Sequence, residues 1–499
     1  MAGLAAAALP LPPAHALRHL EIRLPELDTS FTVDLDELTD ASSLWSGDSD
    51  IAELDRATNG AIGRRLLEMF NAPMPISPAA RAGLRMSVGS PLLRQALLVA
   101  RTLIGVEGIS DEERRDGRQL LEAIERAESG GTVTLRTLLK GLPGETASID
   151  LGVALRAIRR LRGQQSRARD LLMRVPPATQ DPALSSAGPQ AVDQQLVRLP
   201  VPHRQDDLAV SLLQPATSAN GRLVLISHGL WDSPASFAGW GRHLASHGYT
   251  VLLPQHPGSD QDQQQAMLSG QAEPPTPEEL RFRPLDISAI LDAAASGRLG
   301  GVGVLDTDHV VVLGHSWGAT TAMQLAGLRF SSRQLAELCD QVWHPERNVS
   351  WALQCSFLSS ADRASLADER VMAAVAVSPP LRLLFDRDAR EAINGRLLLV
   401  SGSRDWVVPS DPEAINPFLT QDEDVGHRLV LAEAGDHFNL RGVRENGGVL
   451  RGLLLAWVNG AFANRDRARP GVNAPDLLPA DGWGNSFIPL VNVTPALLR

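Results

Sequence analysis

Cysteine is nearly missing from this sequence: Cys339 and Cys355 are the only two in 499 residues. That excludes a disulfide-built scaffold and a paired CxxC metal site. It leaves one disulfide closing a short loop if the chain is exported, or two buried thiols if it is cytosolic. Aromatic residues make up 4% of the chain, and Tyr249 is the single tyrosine. So few rings argue against recognition of nucleic-acid bases by stacking. Net positive charge is also absent, at a formal −11, whereas binding nucleic-acid phosphates requires a basic surface. No apolar run approaches the roughly 18 residues that a membrane-crossing helix needs. HEXXH and carboxylate clusters are absent, and "GVGVLDTD" precedes a strand and opens no helix, so it is no dinucleotide fingerprint. The expectation is chemistry without metal or cofactor.

What is present is globular: 43% hydrophobic and 21% charged residues, in a chain long enough for two or three domains. Residues 1–16, "MAGLAAAALPLPPAHA", end on a small-x-small pattern but lack a basic start. They read as an export signal or as an Ala/Pro leader, with the cleavage pattern favouring export to the periplasm or medium. Residues 17–173 open with two stretches of strand-like alternation, in "RHLEIRLPELDTSFTVDLDEL". They continue as helical segments punctuated by Gly, Pro and Ser. In the last of these, Leu151, Leu155, Ile158 and Leu161 form an apolar stripe flanked by Arg156, Arg159 and Arg160. Such a helix suits a solvated face and, secondarily, peripheral contact with an anionic membrane.

Residues 174–192, rich in Pro, Ala, Ser and Gly, read as a flexible linker. From 193 to about 465 short apolar runs alternate with helical patterns, the signature of βα units on a mainly parallel sheet. Within that region, "DQDQQQAMLSGQAEPPTPEE" reads as a disordered rim loop, and residues 331–370 as an insertion capping a site. Trp343 and Trp351, inside the insertion, would either line an apolar pocket or pack the insertion itself. Residues 466–499 read as a C-terminal tail.

The chemistry centres on "VVVLGHSWGATTA", residues 310–322. A serine between two glycines, after a buried strand and before a helix, fits a turn that raises a nucleophile above a sheet. Gly314 and Gly318 are required because a side chain there would strike the neighbouring strand and helix. A serine hydroxyl needs a base. His437 follows the apolar run "HRLVLAEAGDH", and Asp405 follows "RLLLVSGSRD", giving the order Ser316, Asp405, His437. His437 would take the serine proton and Asp405 would fix its tautomer; Asp436 is the rival acid. The oxyanion donors expected are the backbone amides of Trp317, next to the nucleophile, and Leu230, after the strand "LVLISHG". His315, although adjacent to the serine, would point elsewhere.

These residues resemble the α/β-hydrolase superfamily. "SHGLWDSPASFAGWGRHLASHGYTVLLPQHPGS", "RPLDISAILD", "GHSWG" and "GDHF" are similar to predicted dienelactone hydrolases and platelet-activating-factor acetylhydrolases over residues 195–465. The family motif usually reads GHSFGG; Trp317 replaces its aromatic and Ala319 its last glycine, which leaves the nucleophile in place. Dienelactone enzymes use cysteine where this chain has serine. The resemblance implies an α/β-hydrolase domain preceded by a mostly helical domain of unassigned role. It further implies hydrolysis of a small-molecule or lipid ester. Polyesterase, cutinase-like or lipase-like activity is the neighbouring expectation, and a non-catalytic hydrolase-fold binding protein is the rival of a different class.

Overall fold

The computed structural model describes residues 17–24, 28–74, 76–106, 116–299, 303–385, 393–419, 424–443 and 447–498, so the leader at 1–16 lies outside the described residues. Contacts divide the chain into two compact units. The first ends at Ala157 and includes Leu268–Gln271; the second runs from Ile158 to the C-terminus without that tetrapeptide.

In the first unit, β1 (His19–Leu24) pairs antiparallel with β2 (Thr29–Asp34) and parallel with β4 (Thr146–Asp150). β3 (Ile104–Val106) closes the other edge against β4. Leu20, Val33 and Ala147 on this sheet pack with Leu38, Leu44 and Phe70 into a small core. The helices start where their sequence says they should. Ser49, Ser77 and Ser90 accept the amides of Ala52, Ala80 and Leu93, satisfying donors that a helix start leaves unpaired. Pro78 and Pro91 occupy the first turn, where a missing N–H costs nothing. Alternation revealed β1 and β2 but not β3 or β4. The latter two are three and five residues long and gain their partners only through distant pairing.

The second unit is a nine-stranded sheet in the order β13-β12-β11-β10-β9-β7-β8-β6-β5. Its strands are β5 (Val192–Leu199), β6 (Leu208–Pro215), β7 (Arg222–Ser227), β8 (Thr250–Pro254) and β9 (Asp306–His315). They continue as β10 (Val371–Val377), β11 (Arg396–Gly402), β12 (Arg428–Ala432) and β13 (Leu490–Asn492). β7 to β12 pair parallel, and antiparallel strands cover both edges. Both faces are buried. Leu223, Leu225, Val310 and Val312 pack with Ile287, Ile290 and Met323 on one side. Val224, Ile226, Val311 and Leu313 pack with Trp240, Leu244 and Trp457 on the other. This explains why the parallel strands are continuous apolar runs rather than alternating ones. β7 and β9 are neighbours, but the chain leaves them towards opposite faces, through helices Ala238–Ser246 and Trp317–Leu325. The crevice at such a switch point is where ligands bind in open parallel sheets.

Four boundaries differ from the sequence reading. Helix Ser166–Arg174 belongs to the second unit: Asp411 caps it through the amides of Arg167 and Ala168, and Leu171 lies in the core. The stretch 174–192 is no flexible joint. The amide of Ala178 donates to Leu490 at 2.8 Å, that of Asp181 to Gly482 at 2.7 Å, and that of Gly188 to the Ser246 hydroxyl at 2.8 Å. Proline-rich composition here serves packed, extended chain rather than freedom. Residues 466–499 are no loose tail, since β13 extends the sheet and Trp483 is buried. In the glutamine-rich loop, Gln261–Leu268 is helical and Asp260 accepts the Gln263 amide at 2.9 Å. Among the described residues no helix is long and apolar enough to cross a membrane. On helix Leu151–Gly163, Leu151, Leu155 and Ile158 are exposed.

Candidate active site

β9 delivers Ser316 into a strained turn, with φ 53° and ψ −120°. A non-glycine residue adopts such a backbone only when its surroundings impose it. The imposing contacts are visible. A Cβ on Gly314 would stand 2.0 Å from the Gly318 carbonyl oxygen, and one on Gly318 would stand 2.0 Å from the Ser227 oxygen. Helix Trp317–Leu325 starts immediately after the serine, so the Trp317 amide is among the free donors of its first turn. Ser316 is 9% exposed: enclosed, yet reachable.

His437 lies in the loop after β12 and Asp405 in the loop after β11. The Ser403 amide donates to Ala432 at 3.0 Å and the Arg404 amide to Gly435 at 2.8 Å, joining the two loops. Across them, His437 Nδ1 is 3.0 Å from Asp405 Oδ2. The other Asp405 oxygen accepts the amides of Val407 and Val408 at 2.9 and 2.7 Å, which locks the carboxylate in place. Asp436, the rival acid, is bonded to its own loop instead, its Oδ1 accepting the amides of Phe438 and Asn439, each at 2.8 Å. With Nδ1 turned to Asp405, His437 keeps Nε2 for a hydroxyl.

His315 is turned away from the role of base. Its Nε2 donates to the His437 carbonyl at 2.8 Å, and burial, reinforced by His437 itself, holds its pKa well below the usual histidine value. It is a neutral prop beneath the His437 loop, with ring centroids 4.8 Å apart.

Gly229, just past β7, lies against Ser316: its Cβ position is 3.4 Å from Ser316 Cβ. Leu230 follows it in the loop, and Trp231 takes a left-handed φ of 55°. Arg441 Nη1 bonds Asp232 at 3.0 Å, tying this loop to the one that carries His437. Cys339 and Cys355 are joined by a disulfide within the insertion. Trp351 is fully buried beside His344, so it packs the insertion, whereas Trp343 is exposed. Phe357 of the insertion reaches the Trp317 ring, with centroids 4.6 Å apart.

Sequence reasoning missed what braces the site. Gln165 Nε2 donates to the Asp405 carbonyl at 3.0 Å, from a segment assigned to the helical domain. Arg283, fully buried, stands 4.3 Å from the Trp317 ring centroid and donates to the carbonyls of His228 and Gly229. Its only sequence signal is the spacing of Glu279, Arg283 and Asp286 on one face of a helix.

Residues 222–335 match a family model described as alpha/beta hydrolase fold. No curated protein matches the chain. The match spans β7, β8, β9 and the serine turn, and the rest of the sheet continues the same architecture. The second unit has the α/β-hydrolase fold.

Proposed function

We propose that this chain is a serine hydrolase of carboxylic esters, with Ser316 as nucleophile, His437 as general base and Asp405 as its orienting acid. The observation that carries this reading is the pair formed by His437 Nδ1 and Asp405 Oδ2, 3.0 Å apart, with the His437 carbonyl bonded to His315, the residue before a serine held in a strained turn. His437 Nε2 takes the hydroxyl proton as Ser316 Oγ attacks the ester carbonyl, and Asp405 stabilises the imidazolium. The amides of Leu230 and Trp317 hold the oxyanion. Collapse expels the alcohol, protonated by His437, and water then repeats the cycle on the acyl-enzyme.

The substrate class is a small or lipid-like ester, in keeping with the resemblance to platelet-activating-factor acetylhydrolases. Trp406, beside the acid, and Phe438, beside the base, are 48% and 51% exposed, and such apolar rims suit an acyl or alkyl group. The Cys339–Cys355 bond supports a reading of the chain as exported, since disulfides persist in oxidising compartments. Labelling with a fluorophosphonate, followed by an ester panel of increasing acyl length, tests the proposal. Labelling lost in Ser316→Ala is the expected result, and an unlabelled, inactive wild type would end the reading in favour of a binding protein.

A further inference from the structure

Beneath the proposed oxyanion loop lies a largely buried polar assembly. Helix Glu279–Ala295 presents Glu279, Arg283 and Asp286 on one face. Pro284 in that helix has no N–H to give the Leu280 carbonyl. Gln324, on the helix that follows Ser316, donates to that carbonyl at 2.8 Å and so ties the two helices together. Asp286 accepts from His203 Nε2 at 2.7 Å, His256 Nδ1 at 2.8 Å, and Arg204 at 2.7 and 3.0 Å. Arg204 in turn grips Glu279 at 2.6 and 3.1 Å. Two buried arginines thus face two buried carboxylates, which offsets the desolvation of the charges.

One branch of this assembly mimics a catalytic triad. Ser227 Oγ lies 2.9 Å from His256 Nε2, and His256 Nδ1 lies 2.8 Å from Asp286. All three residues are fully buried, so no ester reaches that serine. What the branch does is fix the end of β7. The His256 amide donates to His228 Nε2 at 3.1 Å, so His228 carries its proton on Nδ1, which donates to the Gly229 carbonyl at 2.8 Å.

Arg283 completes the fixation. Its Nη1 donates to the His228 carbonyl at 2.7 Å and its Nη2 to the Gly229 carbonyl at 3.2 Å. Nε donates to Ser259 Oγ at 3.0 Å, and that oxygen lies 3.3 Å from Glu279. The Ser259 carbonyl accepts the Trp231 amide at 2.8 Å. Leu230 is therefore held from both sides, through the carbonyl before it and the amide after it. In a trans peptide C=O and N–H point opposite ways. A Gly229 carbonyl aimed at Arg283 turns the Leu230 N–H away from it, in a loop whose Gly229 abuts Ser316. Burial lowers the Arg283 pKa to about 9, so it remains a cation at neutral pH.

We propose that Arg283 is a positioning residue for ester hydrolysis, aiming the Leu230 amide at the developing oxyanion by holding the His228 and Gly229 carbonyls. This rests on the serine-hydrolase reading above. A lysine at 283 keeps charge but not the planar fork that reaches two carbonyls at once. In Arg283→Lys, kcat on a small soluble ester should fall about 100-fold, the scale of a lost oxyanion donor. KM should stay within about threefold, since an interaction made only in the transition state is lost. Affinity for an alkyl trifluoromethyl ketone, which forms a tetrahedral oxyanion adduct, should fall in step with kcat/KM, while affinity for the matching methyl ketone holds. A folded Arg283→Lys with kcat within about threefold of wild type, or equal loss of both ketones, overturns the proposal.

If Arg283→Lys does not fold, Ser259→Ala removes the link from Arg283 to Glu279; there kcat should fall about tenfold at constant KM, and unchanged kcat overturns the proposal. Failure of the function reading is recognised separately, by Ser316→Ala retaining activity or by wild type cleaving no ester. In that event, faster hydrogen exchange at residues 228–231 in the same variants, with β9 to β11 unchanged, still supports Arg283 as the residue that fixes the Leu230 peptide, whatever chemistry the loop serves. Unchanged exchange there refutes it.

Discussion

At the scale of single residues, the proposed acid differs from its rival in what each carboxylate holds. Asp405 offers one oxygen to two backbone amides and the other to His437, whereas Asp436 Oδ1 accepts two amides of its own loop. Asp405→Asn should lower kcat by roughly 10³- to 10⁴-fold by favouring the wrong imidazole tautomer. Asp436→Asn should cost far less, and steady-state kinetics on one soluble ester separates the two. Ser316→Ala and His437→Ala should each remove hydrolysis to a similar extent, because members of such a set act as a unit. A Ser316→Ala protein that keeps activity within tenfold would reassign the nucleophile. Sequence nominated Ser316, Asp405 and His437 because each follows an apolar run. The proposed role of Arg283 was not legible there, since its partners are the Ser259 hydroxyl and backbone carbonyls 24 to 55 positions away.

At the scale of elements, the strand-turn-helix around Ser316 tolerates no extra carbon. Gly318→Ala would press a methyl group onto the Ser227 carbonyl at 2.0 Å, a contact that only movement of β7 or the helix relieves. That variant should lose soluble expression or show a sharply lowered melting temperature, together with loss of fluorophosphonate labelling. The insertion is held differently, by a disulfide 16 residues apart in sequence. Reduction should destabilise it by about 3 kcal/mol in the chain-entropy model, read as a lower melting temperature with dithiothreitol than without. An unchanged melt would show that Glu413 suffices. Its buried carboxylate accepts from Asn348, Ser350 and Gln354 of the insertion and from the amides of Leu381 and Arg382.

At the scale of the whole molecule, the unit boundary dictates which truncation survives. A chain beginning at Ile158 keeps helix Ser166–Arg174, the Gln165 bond to Asp405 and the packed strand-like segment up to 192. It should retain Ser316-dependent hydrolysis of a soluble ester. A chain beginning at Gln190 loses those contacts and should be less stable and less active. Equal activity of the two would show the segment to be dispensable.

Stability should also depend on pH in a defined direction. His427 is kept neutral by burial, aided by Arg396 and Arg428, with its pKa pushed down to about 3. The unfolded chain therefore binds a proton there below about pH 6.5 while the native state does not. The stability this histidine contributes is present above pH 6.5 and is lost as pH falls towards 3. Glu413, raised by burial, acts in the opposite sense. The comparison is thus best made by difference: His427→Asn, whose amide oxygen can still accept the Leu397 N–H, should weaken the fall in unfolding free energy between pH 7 and pH 5. Denaturant titrations at the two pH values measure it.

The sequence by itself determined the parallel sheet and the turn at Ser316, because continuous apolar strands and required glycines are local signals, and it nominated Asp405 and His437 from their places after such strands. It misread the segment at 174–192 and the C-terminus because composition reports what a backbone can do alone. Ala178 bonding Leu490, and β13 joining β12 at the sheet edge, are decided by partners far away in sequence. The tertiary structure alone brought Asp405 Oδ2 to His437 Nδ1 and set Arg283 against the His228 and Gly229 carbonyls. Hydrogen-bond geometry and burial exist only once distant strands converge at the switch point between β7 and β9.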